Sequence, residues 1–250
     1  MVTRLDHVVV LVRDLEAAVR DYESLGFAVM PGGEHADGLT RNALIPFHDG
    51  SYFELVAFLD PDDSGDNVWG WRRFVSSGGL IDYCVASDDL GADARRLEDL
   101  GFEVDGPDDG GRRLPGGAEI RWRVARIRQD GRVMPFLIED LTPRSSRVPS
   151  GPAVEHQNGA TGISRLEIAT PDPQGAASTL AALVGVQGGP LQLGGCTLSP
   201  IGPEGRGESR RRIDASGPGP LAVCLTAAAP GGELDRRLTH GAGIRLLERD

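Results

Sequence analysis

Residues 5–29 read LDHVVVLVRDLEAAVRDYESLGFAV, and residues 80–104 read LIDYCVASDDLGADARRLEDLGFEV. Laid over one another at a constant shift of 75 residues, Asp14-Leu15 falls on Asp89-Leu90, and Leu25-Gly26-Phe27 falls on Leu100-Gly101-Phe102. Self-similarity of this kind marks a duplicated structural unit. In each copy an apolar, β-branched run predicts a strand. An Asp then follows that can cap a helix, and a Gly ends the helix where a left-handed residue is wanted. Leu15, Ala18, Val19, Tyr22 and Leu25 recur at helical spacing and predict one buried face. The two strands differ at their third position, which is His7 in one and Asp82 in the other.

Outward from these stretches, short strands are expected over 27–31, 40–47 and 51–59, with HDG (48–50) as the turn between the last two. The second copy continues with GFEVDG, a strand over 119–127 and another over 133–140. The unit is therefore βαβββ, present twice. A Pro-, Ser- and Gly-rich segment, 142–161, reads as a linker. A weaker third copy follows it: strand, Asp172 cap and helix over 162–185, then short strands near 190–199 and 210–214. The stretch 221–247 repeats strand, helix and strand and stops early. The organisation expected is α+β, with a complete lobe over 1–141, the linker, and a degenerate lobe over 162–250.

At 250 residues and 40% hydrophobic, the chain can bury one large core or two modest ones. A formal net charge of -11 argues against nucleic acid and against anionic membrane surfaces. Small molecules and other proteins, including a second copy in a homodimer, remain as partners. The opening apolar run, MVTRLDHVVVLV, is too short to span a bilayer and has no charged leader before it, so a cytoplasmic protein is expected. Cys84, Cys196 and Cys224 lack CxxC spacing and are odd in number, which makes neither a disulfide framework nor a zinc site.

Paired units that open LDHVVVLVRDLEAAVRDYESLGF and carry DGSYFELVAF (49–58) resemble the vicinal oxygen chelate superfamily, which holds glyoxalase I, extradiol dioxygenases, methylmalonyl-CoA epimerase and bleomycin-resistance proteins. TRNALIPFHDGSYFELVAF (40–58), GGLIDYCVASDDL (78–90), MPFLIED (134–140) and HQNGATGI (156–163) are similar to its glyoxalase-like domain family. The resemblance implies tandem units paired into cupped, incompletely closed mixed β-barrels, with metal ligands from the first and fourth strands of each unit. On this sequence those are His7, Glu54 and Asp82, with His7 and Asp82 facing one another across the cup. The last position is Leu137 if phenylalanines are aligned and Glu139 if acids are. Asp82 stands where glyoxalase I and extradiol dioxygenases carry His.

One imidazole with carboxylates suits a divalent ion such as Mn, Fe, Co, Ni, Mg or Zn, whose open positions would take a small oxygenated or carbonyl-containing molecule. The resemblance then implies a lyase, isomerase or dioxygenase, with an unliganded Glu139 as general base. The alternative is a metal-free protein that sequesters a small molecule, as bleomycin-resistance proteins do. Both readings compete with a plain one, in which His7 is a hydrogen-bonded core residue paired with Glu54. In the second lobe the matching positions are Arg165 and Ala222, where no metal chemistry is expected.

Trp69 and Trp71 could line the cup and stack on a flat ligand, or only cover the core. Arg41 and Asn42 open the third strand and could bind a polar substrate. His156 could reach the mouth of the cup, whereas His35 and His48 sit in turn-like contexts and read as solvated. PGGEH (31–35) and GGRRLPGG (110–117) lack the strand-to-helix setting of a phosphate loop.

Overall fold

The computed structural model describes residues 1–113, 119–186, 189–203, 207–228 and 231–248; the later part of GGRRLPGG lies outside the described residues. The first unit is β1 (Val2–Leu11), α1 (Leu15–Ser24), β2 (Met30–Glu34), β3 (Thr40–Pro46) and β4 (Tyr52–Phe58). The second is β5 (Gly79–Ser87), α2 (Leu90–Asp99), β6 (Val104–Arg113), β7 (Glu119–Ile127) and β8 (Phe136–Asp140). After α3 (Arg144–Arg147) come β9 (Ala160–Ala169), α4 (Pro173–Val184), β10 (Leu191–Leu193), β11 (Cys196–Ile201), α5 (Gly207–Ser216), β12 (Gly219–Ala227), β13 (Gly232–Glu233) and β14 (Gly243–Glu248).

The caps act as the sequence predicts. Asp14, Asp89 and Asp172 each accept a backbone N–H three residues on, at 2.9 Å. Gly26 and Gly101 take up the left-handed conformation after α1 and α2, with φ of 84° and 90°. Three expectations give way. β2 starts at Met30 rather than 27, because the turn after Gly26 is longer. The strand expected near 210–214 is helix α5, whose sequence has no period-2 alternation and whose Arg210 pairs with Asp214 one turn on. No helix forms over 233–240, where turns follow β13. Between glycines that stretch offers only Leu234 and Leu238 as apolar residues, too few to bury a helical face.

β1–β8 form one eight-stranded sheet in the order β2-β3-β4-β1-β5-β8-β7-β6, which reads the same from either end once the units are exchanged. β9–β14 form a six-stranded sheet. One face of the first sheet packs Val8, Val10, Phe53, Leu55, Tyr83, Val85 and Leu137 against α1, α2 and the second lobe's Leu166, Leu180 and Val223 in a single core. Each such fully buried side chain contributes about 1.5–3 kcal/mol. The opposite face carries Val9, Val56, Phe58, Cys84, Phe136 and Ile138 and is concave. Side chains from both edge strands, β2 and β6, reach the same cavity, so the sheet curls into a half-barrel.

Candidate functional site

The centre of the cup is set by two bulges. In the antiparallel β1–β5 pair, the register slips between Leu5 (opposite Val85) and His7 (opposite Cys84), and again between Asp82 (opposite Val9) and Leu80 (opposite Val10). The slips are related by the same 75-residue shift as the sequence repeat, so Asp6 and Ile81 are equivalent extra residues. A bulge breaks strand alternation and turns its residue toward its neighbour's side. Ile81 accordingly joins Cys84 in the concave-face cluster, and Asp6 reaches His7, with Oδ1 2.7 Å from Nδ1.

Asp6 is fully buried and would be unstable as a lone charge. Arg147 binds both of its oxygens at 3.0 Å, and Arg144 binds Oδ2 as well. Burial alone would raise the Asp6 pKa, but Arg147, His7 and Arg144 hold it well below the usual carboxylate range. Both arginines come from α3, within the segment expected as a linker.

With Nδ1 held by Asp6, the His7 ring turns Nε2 to Glu54 Oε2, 3.3 Å away on neighbouring β4, and stacks on Tyr52 with ring centroids 4.6 Å apart. Glu54 Oε1 meets His35 Nε2 at 3.2 Å and accepts from Asn42 Nδ2 at 2.6 Å. His35 Nδ1 is held in turn by Thr40 Oγ1 at 2.7 Å, and Asn42 Oδ1 accepts the Gly33 N–H. A Cβ at Gly32 would fall 1.9 Å from Asn42 Oδ1, so this glycine makes room for the side chain. Burial opposes charge on all three ionisable groups. The imidazoles nevertheless hold Glu54 well below its ordinary pKa, and the His7 and His35 pKa values are raised by their carboxylate partners.

His35 was expected to be solvated. It comes to the site because the β2–β3 hairpin pairs it with Thr40, its N–H donating to Thr40 O at 2.9 Å; hairpin register was the signal that could have found it. Asn42 faces the cup as expected, but Arg41, next to it on a strand, faces the other way and binds Glu16 of α1 through two bonds of 2.5 and 2.7 Å. His156 is also away from the cup. Its Nδ1 accepts the Ala28 N–H and its Nε2 donates to Pro46 O, locking the turn behind the sheet, and burial lowers its pKa.

The cavity is about 390 Å³. His7, His35, Asn42, Glu54 and Tyr52 line one part of it, and Trp69, Trp71, Trp122, Phe136 and Ile138 line much of the rest. Trp69 and Trp71 stack at 5.5 Å, and Trp69 lies 4.5 Å from Phe136. These last two rings also line a neighbouring cavity, which Asp82 lines and His7 does not. There the Asp82 carboxylate accepts from Trp71 Nε1 at 3.0 Å and lies 3.2 Å from Arg132 Nε. Burial raises its pKa against these partners.

Residues 5–184 match the family described as Glyoxalase-like domain. The chain belongs to the glyoxalase-like domain family. The crystal structure of a hypothetical protein from Staphylococcus aureus has the same fold across the full length, with a TM-score of 0.73, 17% identity, and coverage of 98% of this chain and 99% of that one. Methylmalonyl-CoA epimerase from Mycobacterium tuberculosis is a more distant likeness, with a TM-score of 0.43, 24% identity, and coverage of 58% of this chain and 92% of that one. The Streptomyces coelicolor epimerase in complex with 2-nitronate-propionyl-CoA gives a TM-score of 0.43 at 24% identity, covering 57% of this chain and 100% of that one. No curated protein matches this chain in sequence.

Against the ligand pattern that glyoxalase-like and other vicinal oxygen chelate proteins suggest, this chain keeps half. The parallel ladders set Val9 opposite Glu54 and its equivalent Cys84 opposite Phe136, so the last position is neither Leu137 nor Glu139 but Phe136. Leu137 lies in the core behind the sheet. Glu139 shares its side of β8, bound there to Arg123 Nε at 3.1 Å, and the general-base expectation for Glu139 fails because the residue points away from the cavity.

Among the described residues, the ligand-type atoms that lie within 4.8 Å of one another are those of Asp6, His7 and Cys84. Two arginines already bind Asp6 and burial pushes the Cys84 thiol well up, so this trio backs His7 from its Nδ1 side. The donors that face the cup are His7, Glu54 and His35. Two imidazoles, each with Nδ1 fixed by a neighbour, and one carboxylate are chemically a donor set for a divalent ion, and in this structure Glu54 bridges the two rings, one oxygen to each, without the three donor atoms converging within 4.8 Å.

In the second lobe, Arg165 pairs with Cys224 and Glu167 with Ala222, the same ladder as His7 with Cys84 and Val9 with Asp82. The positions equivalent to His7 and Asp82 are therefore Arg165 and Ala222, and Glu167 is bound by Arg245 at 3.0 Å.

Proposed function

We propose that this protein is a divalent-metal-dependent enzyme of the lyase, isomerase or dioxygenase class, acting on a small oxygenated or carbonyl-containing molecule in the N-terminal cup. The observation that carries the reading is His7. Its Nδ1 is fixed by a buried carboxylate, and its Nε2 is presented to Glu54 at 3.3 Å on the wall of an aromatic cavity. Metal-ligating histidines are oriented in this way, by an outer carboxylate that sets the tautomer.

His7, Glu54 and His35 would hold Mn, Fe, Co, Ni, Mg or Zn. When bound, the ion supplies Lewis acidity toward a substrate oxygen. The chain's own part is to orient and to exclude water. Asp6 keeps the His7 proton on Nδ1, Asn42 fixes the Glu54 carboxylate, and the tryptophans with Phe136 and Ile138 give part of the cavity an apolar wall. In this reading the protein works in the cytoplasm on a small molecule, alone or as a homodimer, without nucleic-acid or membrane partners. Among the described residues no helix is long and apolar enough to cross a membrane.

A second reading, the metal-free binder, is favoured by one observation: the Glu54 carboxylate is already satisfied by His7, His35 and Asn42. Calorimetry with Mn²⁺, Co²⁺ or Ni²⁺ on chelator-treated protein at neutral pH separates the two. Stoichiometric binding that is lost in His7→Ala and Glu54→Ala supports the enzyme, and absence of binding to the unmutated protein transfers the function to the binder.

A further inference from the structure

The cationic groups that line the cup are paired with carboxylates, with one exception, and the acids Glu34, Asp37 and Asp109 line it as well. His7 and His35 meet Glu54, Arg126 binds Asp108 at 3.0 Å, and Arg147 binds Asp6 and Asp140. Arg112 of β6 also lines the cavity, and among the described residues no carboxylate pairs with it. Its Nη2 donates to the Arg147 carbonyl at 3.0 Å, while its Nε is buried without an acceptor. A buried guanidinium N–H without an acceptor is unfavourable, and an arriving carboxylate supplies one in planar geometry. Burial lowers the Arg112 pKa, and its bond to the carbonyl of Arg147, which itself donates to the Tyr52 hydroxyl at 2.8 Å, sets it at the polar end of the cup.

The other end is aromatic. All three tryptophans of the chain, Trp69, Trp71 and Trp122, line this one cavity. A Cβ at Gly110 would fall 2.4 Å from Trp122 Nε1, so the glycine of β6 next but one to Arg112 gives the indole its place. Stacked indoles with Phe136 form flat apolar walls, which select a flat ligand body over a branched one.

We propose that the cup takes a flat, largely apolar organic anion, an aryl or conjugated carboxylate, with its carboxylate on Arg112 and its body against Trp69, Trp122 and Phe136. This rests on the reading of the cup as the substrate site and names the substrate class. The acid and the ring occupy opposite ends of the cavity. The His7–Glu54–His35 wall is left to the oxygen or carbonyl group between them.

Because every tryptophan lines the cavity, intrinsic fluorescence responds to its occupancy, and the Arg112 variants separate this from binding in the neighbouring cavity that Trp69 also lines. Benzoate and 2-naphthoate are titrated as probes, with benzamide to remove the charge and cyclohexanecarboxylate to remove the flatness, and calorimetry checks each. The expected result is saturable binding of both aryl carboxylates, weaker by roughly ten- to a hundredfold for benzamide, and weaker by a similar factor in Arg112→Gln. Arg112→Lys, which keeps the charge without the fork, falls between. Circular dichroism confirms that the variants are folded, and Arg121→Gln, a change on β7, serves as a charge-loss control. No saturable response to either aryl carboxylate, or equal affinity in Arg112→Gln, overturns the proposal. The same samples are titrated with Co²⁺: metal binding intact with no carboxylate binding sinks this inference alone, whereas carboxylate binding without metal binding sinks only the metal reading.

Discussion

Glu54 and Phe136 stand at the same place in the two N-terminal units, one opposite Val9 and the other opposite its equivalent Cys84. The cup is therefore polar on the β4 side and aromatic on the β8 side. This division gives a direct test of which carboxylates matter. Asp82→Asn is expected to leave Co²⁺ affinity within about twofold, because Asp82 is bound to Trp71 and Arg132 and lines the neighbouring cavity. Asp6→Asn, which disturbs the partner orienting His7, is expected to weaken it by about 10–100-fold. Calorimetry on the two variants checks the contrast, and the reverse order would restore Asp82 as a ligand.

Glu139 offers a complementary control. It sits behind the sheet in an ion pair with Arg123, so Glu139→Gln should change neither metal nor probe binding measurably. A partly exposed pair of this kind is worth less than about 1 kcal/mol, and urea unfolding should register no more than that. A loss of turnover of two orders of magnitude would contradict the placement.

The second lobe is joined to the first partly through Arg96 of α2, which donates to Ala182 O at 2.7 Å and to Leu183 O at 2.8 Å. These carbonyls belong to the last turn of α4 and have no intrahelical donor, so the guanidinium caps a helix of the neighbouring lobe. Arg96→Met keeps most of the apolar stem. It should lower unfolding free energy by about 1–2 kcal/mol and raise hydrogen exchange over 180–186. Unchanged exchange there would show that the cap is dispensable.

What the sequence made legible followed from periodicity and capping. The 75-residue repeat implied the equivalence of His7 with Asp82, and the β1–β5 ladder reproduces it from Arg4 to Leu11, with the two central bulges. The fourth strands were harder to place, because the second unit's connection is longer and the equivalence of Glu54 with Phe136 runs at a different shift. No local pattern distinguishes Phe136, Leu137 and Glu139 until the ladder is seen. His35 and Arg112 escaped for another reason: one directly follows and the other lies in an edge strand, each in a glycine-rich stretch, and only the curl of the sheet brings the two edges to one cavity. Asp6 was hidden by strand alternation, which the bulge suspends.

The buried ladder Arg147–Asp6–His7–Glu54–His35 should also govern how stability depends on pH. Asp6 and Glu54 have folded-state pKa values held well below the ordinary range, so the unfolded chain binds more protons than the folded one as pH falls past about 4. Their contribution is fully present above that pH and is lost through the acid limb. His7 and His35 have raised pKa values, so they bind protons more tightly in the fold. Their contribution is fully present below about 6.5 and is lost as pH rises through the folded values. Metal-free protein should therefore be most stable between about pH 4.5 and 6.5, with unfolding free energy falling on both sides. Asp6→Asn leaves Arg147 with Asp140 as its remaining carboxylate partner and should lose about 1–3 kcal/mol at pH 6, with a shallower acid limb than the parent. Urea titrations from pH 3 to 9, read by the cup's tryptophans, measure both effects. Stability that climbs steadily from pH 6 to 8 would mean that the two imidazoles enter the fold neutral, and the ladder would then be a chain of neutral hydrogen bonds ending on a single carboxylate.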